Sequence, residues 1–226
     1  MKKINLALMA TLAISAIFTL QSCEKDKNTV DPSIYYPNAL VTLKTTADNK
    51  FYMQFDDNTT VLPVNIKENP YKNKTEIRAL ANIAKVNEPH EGFSDAVHVH
   101  WVDSVRTKAM APNMPGQNVS IYGNDPIELV KDFVTIVEDE YLTVRFRTRF
   151  SGGTYHILNL VPGDKPFEVV LHHNAQGDTF GQFGDGIMAF RLDLLPETTE
   201  PVDLTVKWES FSGPKSHVFK YVPRKK

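Results

Sequence analysis

Three arginines are spaced so that a β-strand would present them on one face. Arg145, Arg147 and Arg149 alternate with apolar residues, and successive side chains of a strand point to opposite faces. Three guanidinium groups in a row could bind an anionic partner, such as lipid headgroups or an acidic glycan. The alternative, which we favour, is a solvated strand face whose arginines pair with carboxylates on neighbouring strands.

The segment from His173 to Gly186 is a second candidate for binding a ligand or a partner. It contains Phe180 and Phe183 among several glycines, and aromatic rings in such a loop could stack on a sugar or insert into a partner protein. Its carboxylates lack the regular spacing of an EF-hand calcium loop. The simpler interpretation is a long hairpin whose phenylalanines pack against the edge of a sheet.

His98 and His100 would also share one face of a strand, and two imidazoles at this spacing can supply nitrogen ligands to Zn²⁺. A zinc site needs a third or fourth ligand, and only His90 or Asp103 lies close in sequence. No thiolate near them could complete the set, because the single cysteine is Cys23. We therefore expect neither a metal nor a cofactor, and we interpret the two histidines as polar residues opposite a core-facing row.

Both tryptophans are predicted to be structural. Trp101 is in phase with Val97 and Val99, and Trp208 is in phase with Val206, so each indole should face a core. Buried tryptophans weaken a carbohydrate-binding hypothesis, because sugar binding requires aromatic rings on an open surface.

The sequence contains no familiar catalytic signature. The nucleophile elbow G-x-S-x-G, the zinc-protease motif H-E-x-x-H, and the phosphate-binding motifs G-x-x-x-x-G-K-[ST] and G-x-G-x-x-G do not occur. Asp139 and Glu140 are adjacent, so within a strand they would point to opposite faces and could not act as a paired acid and base. We therefore expect a protein that binds and does not catalyse.

Composition places the chain among folded globular proteins, since 42% of its 226 residues are hydrophobic and 23% are charged. The formal charge of −2 comes from interspersed residues of both signs. This argues against nucleic acid as a partner, because phosphate binding requires a clustered basic surface. The single cysteine excludes a disulfide framework.

A period-two alternation of apolar and polar residues starts at Leu40 and predicts short, half-buried strands. Five such strands within 34–108 suggest a small barrel of the OB type, which removes most free edges. In the second strand, Tyr52 and Gln54 face away from the predicted core and offer a candidate partner surface. Residues 75–86 would suit a strand or a helix, and we favour a strand because of their neighbours.

Prolines and glycines interrupt residues 109–126, which we interpret as a linker. Residues 127–226 contain seven further short alternating strands, the pattern of a β-sandwich. The one helix-start signal, Asp125-Pro126, predicts a turn or two of helix as far as Lys131. The expected fold class is all-β, with a small OB-like barrel followed by an immunoglobulin-like β-sandwich.

The first residues of the chain predict a lipid anchor. A basic start precedes an apolar run from Leu6 to Leu20, which has the length of a signal-peptide core. The run ends at Leu20-Gln21-Ser22-Cys23, which resembles the lipobox of bacterial lipoproteins. We interpret 1–22 as a lipoprotein signal peptide, Cys23 as the lipid attachment site and 23–33 as a flexible tether. The alternative is an ordinary secretory signal with an incidental cysteine.

The lipobox cysteine and three later blocks carry a resemblance to a known family. The blocks are Tyr35 to Lys44, Phe51 to Asp57, and Tyr141 to Phe146 running on to Tyr155 to Leu160. They resemble the NigD-like lipoproteins of Bacteroidetes. The resemblance implies an N-terminal OB-like domain, a C-terminal β-sandwich and an association with a bacteriocin locus, for which an immunity role has been suggested. It implies no catalytic residues.

We therefore expect an outer-membrane lipoprotein, held on the membrane by its N-terminal lipid, with a protein partner in an envelope-assembly or bacteriocin-associated role. The alternative is a surface glycan-binding lipoprotein of a polysaccharide-uptake system, motivated by Phe180, Phe183 and the arginine row. A hydrolase with an unrecognised site is the third possibility. The sequence leaves open whether the protein faces the periplasm or the cell surface. Glu24 and Asp26 alternate with lysines and do not form the acidic run that is associated with export to the surface.

Overall fold

The computed structural model describes residues 35–71, 74 and 76–224. The predicted signal peptide, Cys23 and the predicted tether lie outside these residues. No helix within the described ranges is long and apolar enough to cross a bilayer. The described elements, in chain order, are β1 (Tyr35–Thr45), β2 (Phe51–Gln54), β3 (Thr60–Pro63), β4 (Glu76–Val86), β5 (Asp95–Ser104), β6 (Thr107–Ala109), α1 (Asn118–Tyr122), β7 (Glu128–Leu129), β8 (Ile136–Glu138), β9 (Tyr141–Phe150), β10 (Ile157–Pro162), β11 (Glu168–Asn174), β12 (Gln182–Arg191), β13 (Val202–Ser210) and β14 (Gly213–Tyr221).

The first five strands close into a barrel in the order β1-β2-β3-β5-β4. Their apolar residues alternate inward, where Leu43, Met53 and Ile83 have no exposed surface. Strands β3 and β5 run parallel, and the other neighbours run antiparallel. The predicted OB-like barrel is confirmed. Residues 76–86 form a strand, as favoured, because alanines such as Ala79 fit the narrow interior of a small barrel.

The prediction that Trp101 faces a core is wrong. The register between β4 and β5 shifts between Val99 and Trp101, because β5 carries one extra residue, His100. This β-bulge reverses the alternation of side chains along the strand. As a result Trp101 turns outward and is 41% exposed, while Val102 packs against the barrel core in its place.

Two sheets form the second unit of the chain. One has the order β10-β11-β13-β14, and the other has the order β6-β12-β9-β7 with β8 also paired to β9. Their inner faces enclose a core that includes Leu160, Phe190 and Trp208. The predicted β-sandwich and the structural role of Trp208 are confirmed. Two neighbouring pairs, β11 with β13 and β12 with β6, run parallel.

Residues 109–126 belong to the sandwich and are not a linker between two units. Strand β6, which leads into them, pairs with β12. The Ala111 N–H donates to the Leu160 carbonyl, and Met110 is buried in the sandwich core. The boundary between the two units therefore lies between β5 and β6, slightly earlier than the punctuation of the sequence indicated.

The helix predicted to follow Asp125 does not form. The Asp125 carboxylate accepts the Ala175 N–H at 2.7 Å, so it ties the segment to β11 instead of capping a helix. Ile127 is buried in the core, and Glu128–Leu129 form β7. The short helix α1 lies a few residues earlier, within the range that the sequence indicated as a linker.

The barrel packs against the outer face of β9 and β12. Leu40 and Val105 meet Tyr141 and Ala189 there in a small apolar cluster. The barrel covers only the part of this face near the start of β9. Farther along this face, Arg147 is exposed and Arg149 is half-buried.

A buried arginine links the barrel to the sandwich beside this apolar cluster. Arg78 of β4 has no exposed surface. It donates to Thr42 of the barrel at 3.0 Å, and to Thr143 and Glu138 of the sandwich at 3.3 and 2.8 Å. Burial raises the pKa of Glu138, and Arg78 offsets part of that rise. Each charge therefore depends on the other unit of the molecule for its partner.

The turn between β8 and β9 enters the same interface in a strained conformation. Asp139 and Glu140 both have positive φ, 51° and 62°, a pair of values that hairpins usually assign to Asn-Gly. The Asp139 carboxylate binds Lys44 at 2.6 Å and Arg224 at 2.8 Å. The backbone N–H of Asp139 donates to the Asp57 carboxylate. These contacts hold a turn that the side chains alone would disfavour.

Arg224, which follows β14, connects the end of the sandwich to the β8–β9 turn and to the barrel. Besides Asp139, it donates to the two carboxylate oxygens of Glu76 at 3.0 and 2.5 Å. The Tyr141 hydroxyl also donates to Glu76, at 2.7 Å. Burial, followed by this hydrogen bond, raises the pKa of Tyr141, so the hydroxyl keeps its proton and remains a donor.

Replacing Arg78 by methionine should destabilise the protein strongly. Arg78→Met leaves Glu138 in the interface without its cation, and breaking a buried ion pair in this way typically costs about 3–5 kcal/mol. Arg191→Met is the matched control, because Arg191 pairs with Asp193 only at the exposed surface; its cost should stay within about 0.5 kcal/mol. Urea unfolding followed by fluorescence measures both. Equal losses in the two variants would contradict a structural role for the buried pair.

Candidate functional site

Two of the three predicted arginines are neutralised by carboxylates. Arg145 binds Asp132 at 2.8 Å and Asp185 at 2.6 Å, and Arg147 binds Asp185 at 2.6 Å. Hydrogen bonds from Arg147 and Arg145 lower the pKa of Asp185 to about 2. The carboxylate therefore stays charged above that pH, and these two arginines form the paired surface that the sequence favoured. They offer no free row of charge to an anion.

Arg149, the third arginine, has a different environment. It donates to the Gly181 carbonyl at 3.0 Å, and its guanidinium carbon lies 4.4 Å from the centre of the Phe183 ring. None of the described carboxylates pairs with it. A cation held over an aromatic face keeps its charge available to a partner on the open side. The arrangement unites two residue types that the sequence had treated as separate candidates.

Four exposed aromatic side chains lie in turns and strand ends at the same end of the sandwich as Arg149, away from the barrel. We call this set the aromatic tip. The Phe183 and Phe211 rings are nearly perpendicular, with ring centres 5.4 Å apart. The exposed fractions are 83% for Tyr155, 76% for Phe180, 51% for Phe183 and 42% for Phe211. The rings lie at one end because the connections β9–β10, β11–β12 and β13–β14 all turn there.

Half of the segment predicted as one long loop is strand. Strand β11 continues to Asn174 and β12 begins at Gln182, so only 175–181 form the loop. Gly181 has φ of +89°, and a Cβ there would stand 2.1 Å from the Phe150 carbonyl oxygen. Only glycine permits this close approach. The chain bends at Gly181, after Phe180 and before Phe183.

A buried polar cluster supports the base of the aromatic tip. The Asp178 carboxylate accepts the Ser151 N–H at 2.9 Å and joins two of the tip loops. It also lies 3.5 Å from His156 Nε2, and His156 Nδ1 lies 2.9 Å from His173 Nε2. His173 Nδ1 contacts the Asp125 carbonyl at 3.2 Å. Burial and the nearby His156 lower the pKa of His173, which favours a neutral ring that accepts from His156.

Tyr52 and Gln54 face away from the barrel core, as the alternation predicted, and both are half-buried. The Tyr52 ring packs against Phe93 with ring centres 5.4 Å apart, and burial raises the pKa of Tyr52. Gln54 donates to the Asp56 carbonyl at 2.6 Å and so closes the turn after β2. Both side chains are used within the barrel.

Two members of the aromatic tip were not predicted from the sequence. Phe211 is the first residue of the tight β13–β14 turn, and Tyr155 lies in the β9–β10 connection. A large apolar residue between two serines, as in Ser210-Phe211-Ser212, is unusual for a turn. That local signal could have identified Phe211. Nothing in the sequence shows that these turns share one end of the molecule.

Comparison with known proteins matches both units of this fold. The NigD-like N-terminal OB domain matches residues 40–105, and the NigD-like C-terminal beta sandwich domain matches residues 110–221. The chain belongs to the NigD-like family. No curated protein matches it. The resemblance seen in the sequence is thereby confirmed, and the two matched ranges meet near the boundary between β5 and β6.

Solved structures share this NigD-like architecture. A putative toxin-related protein of Parabacteroides distasonis has 29% identity and a TM-score of 0.68, over 82% of this chain and 92% of that one. A protein of unknown function from Bacteroides vulgatus has 24% identity and a TM-score of 0.66, over 84% and 95%. A NigD-like immunity protein of Bacteroides caccae has 17% identity and a TM-score of 0.57, over 82% and 97%.

The two barrel histidines of this NigD-like chain lie side by side, with ring centres 4.9 Å apart. His98 and His100 thus share the outer surface of β5, as the strand spacing predicted. Within the described ranges, no three side chains of metal-binding type are grouped as a metal site would require. The pair lies in the barrel, on a different unit from the aromatic tip.

The stability of the sandwich should fall as the pH drops below about 6.5, the ordinary pKa of histidine. A lowered pKa in the folded state means that folding favours neutral His173, so this contribution is present above the unfolded pKa and is lost as pH falls through the folded one. His173→Asn should flatten the dependence, whereas His90→Asn, at an exposed position, should leave it unchanged. Urea midpoints at pH 7.5 and 5.0 measure the difference. An identical slope in wild type and His173→Asn would refute the assignment.

Proposed function

We propose that this NigD-like protein is a non-catalytic lipoprotein of the cell envelope that binds a protein partner through the aromatic tip. The observation that carries the proposal is that Tyr155, Phe180, Phe183 and Phe211 are exposed at one end of the sandwich, where Arg149 lies over the Phe183 ring. Aromatic residues and arginine are the residue types that dominate the energetics of protein interfaces. Exposed apolar patches that are rimmed by polar groups commonly mark interaction sites.

The rigidity of the aromatic tip supports binding by a preformed surface. Phe183 belongs to strand β12, Arg149 belongs to β9, and their side chains already contact each other. Asp178 ties two of the loops together from beneath. Side chains that are ordered before binding lose little conformational freedom when a partner arrives.

The proposed absence of catalysis agrees with the use made of the buried carboxylates. Asp139 is bound by Lys44 and Arg224, and Glu76 by Arg224 and Tyr141. Asp178 lies under the aromatic tip, where it receives a backbone N–H. These acids are engaged in holding the fold together.

A bacterial toxin, or an envelope component that a toxin uses, is the first candidate for the partner. The relative from Parabacteroides distasonis is described as toxin-related, and the Bacteroides caccae structure, which shares the fold, is described as an immunity protein. Binding of a protein toxin, or of an envelope component that the toxin uses, would be consistent with both descriptions. An envelope-assembly role uses the same kind of surface.

An acidic glycan is the second candidate. Phe183 with Arg149 above it could receive a sugar ring and its carboxylate, since aromatic faces stack on sugars and guanidinium groups bind carboxylates. This alternative corresponds to a surface lipoprotein of a polysaccharide-uptake system.

The tip can be tested by photo-cross-linking in the native envelope. A photoreactive phenylalanine at position 180 should capture a defined protein, and the same probe at Val218, which is exposed on β14 of the other sheet, should not. Once identified and purified, the partner should bind Phe180→Ala/Phe183→Ala at least about tenfold more weakly than wild type, as expected for interface hot spots. A glycan panel bound by wild type and lost in the double variant would support the second candidate. Silence in both assays would refute the tip as the binding site.

The lipid anchor has its own test. Cys23→Ser should abolish labelling by an alkyne fatty acid, because it removes the only thiol that could receive the lipid. Ser22→Ala is the matched control, since it retains a small residue before the cysteine. Labelling that persists in Cys23→Ser would contradict the proposed attachment site. Separation of inner and outer membranes then tests the proposed outer-membrane location.

A further inference from the structure

The barrel contains a cleft that the proposed function does not use. Its volume is about 840 Å³, within the range of pockets that bind small organic molecules. The start of β2, strand β3 with the residues after it, the β4–β5 connection and β5 form its walls. Apolar side chains, among them Phe51, Leu62, Ile66 and Val86, make up much of the lining.

Basic side chains outnumber acidic ones around this cleft. The cleft is lined by two lysines and two histidines, together with a single carboxylate: Lys50, Lys67, His98, His100 and Glu88. Neither lysine forms an ion pair with a described carboxylate, and the Lys50 ammonium lies 4.7 Å from the centre of the Phe93 ring. Two lysines beside one carboxylate leave the cleft with a positive balance. The polar groups therefore favour a ligand that carries negative charge.

His98 supplies a polar atom that lacks a partner within the described residues. Its Nδ1 is buried and forms no hydrogen bond there, although buried polar atoms in folded proteins almost always have one. The bulge at His100 leaves both histidines on the outer surface of β5, with their rings 4.9 Å apart. Bulges are common where a strand must direct side chains toward a binding site.

We infer that this cleft binds a small organic anion with an apolar body, such as an aromatic carboxylate. The apolar walls would receive the body of the ligand. The lysines would attract its negative charge, and His98 Nδ1 would gain the hydrogen-bond partner that it lacks. A metal ion fits the cleft less well, because no third ligand accompanies the two histidines in the described chain. The site is separate from the aromatic tip and does not depend on it.

A titration with 2-naphthoate tests the inference. The full chain carrying Cys23→Ser avoids competition from an acyl chain, and ¹⁵N-labelled histidine reports on His98 and His100 directly. We expect saturable shifts of both imidazole signals. The neutral analogue 2-naphthalenemethanol has the same apolar body and should bind about tenfold more weakly, because it lacks the charge that the lysines attract. Equal affinity for the two compounds would overturn the assignment to anions.

Matched variants separate a specific site from a general effect of charge. Lys50→Gln/Lys67→Gln should weaken 2-naphthoate about tenfold and leave 2-naphthalenemethanol unchanged. Lys215→Gln/Lys220→Gln removes the same charge from the sandwich, where both lysines form exposed ion pairs, and should change neither affinity. Equal weakening in the two double variants, or the absence of saturable shifts, would refute the site. Phe180→Ala/Phe183→Ala should bind 2-naphthoate normally, so failure of the aromatic tip and failure of the cleft can be distinguished.

Discussion

The architecture depends on charges that can be buried only if the two units meet. Arg78 has no exposed surface, and its carboxylate partner lies on the other unit. A buried ion without its partner is far more costly than one that is paired. The cost of separating these charges therefore opposes reorientation of the barrel relative to the sandwich. The apolar cluster around Tyr141 and Ala189 adds area to the contact, whereas the ions and their hydrogen bonds determine its geometry.

This constraint divides the outer face of β9 and β12 into two regions with different roles. Near the start of β9, Tyr141 and Thr143 are covered by the barrel. Farther along, Arg145 and Arg147 share Asp185, and Arg149 reaches the exposed aromatic rings. One strand thus begins in the interior and ends at the candidate binding surface. The aromatic tip and the barrel cleft therefore lie on different units of the molecule.

The strands could be predicted from the sequence because period-two alternation reports burial residue by residue. The same alternation fails wherever one residue is added, as at His100, because every later side chain then changes face. Residues 109–126 carry the composition of a linker, yet they are held by contacts with distant strands such as the one from Ala111 to Leu160. The arginine row was visible in the sequence, and pairing with carboxylates was the favoured interpretation, which holds for Arg145 and Arg147. The neighbours of Arg149 could not be predicted from the sequence, because Phe211 reaches Phe183 only through the packing of two sheets.

The long sequence separation of the interface contacts has a consequence for how the chain is made. Arg224 meets Glu76 across 148 residues, whereas the barrel strands lie close together and can pair early, since local contacts close fastest. During synthesis the barrel therefore emerges first, with Glu76 and Arg78 still lacking their partners. Until the sandwich forms, that face of the barrel carries hydrated charges beside its apolar residues, and its charges gain their partners only when the last strands are complete.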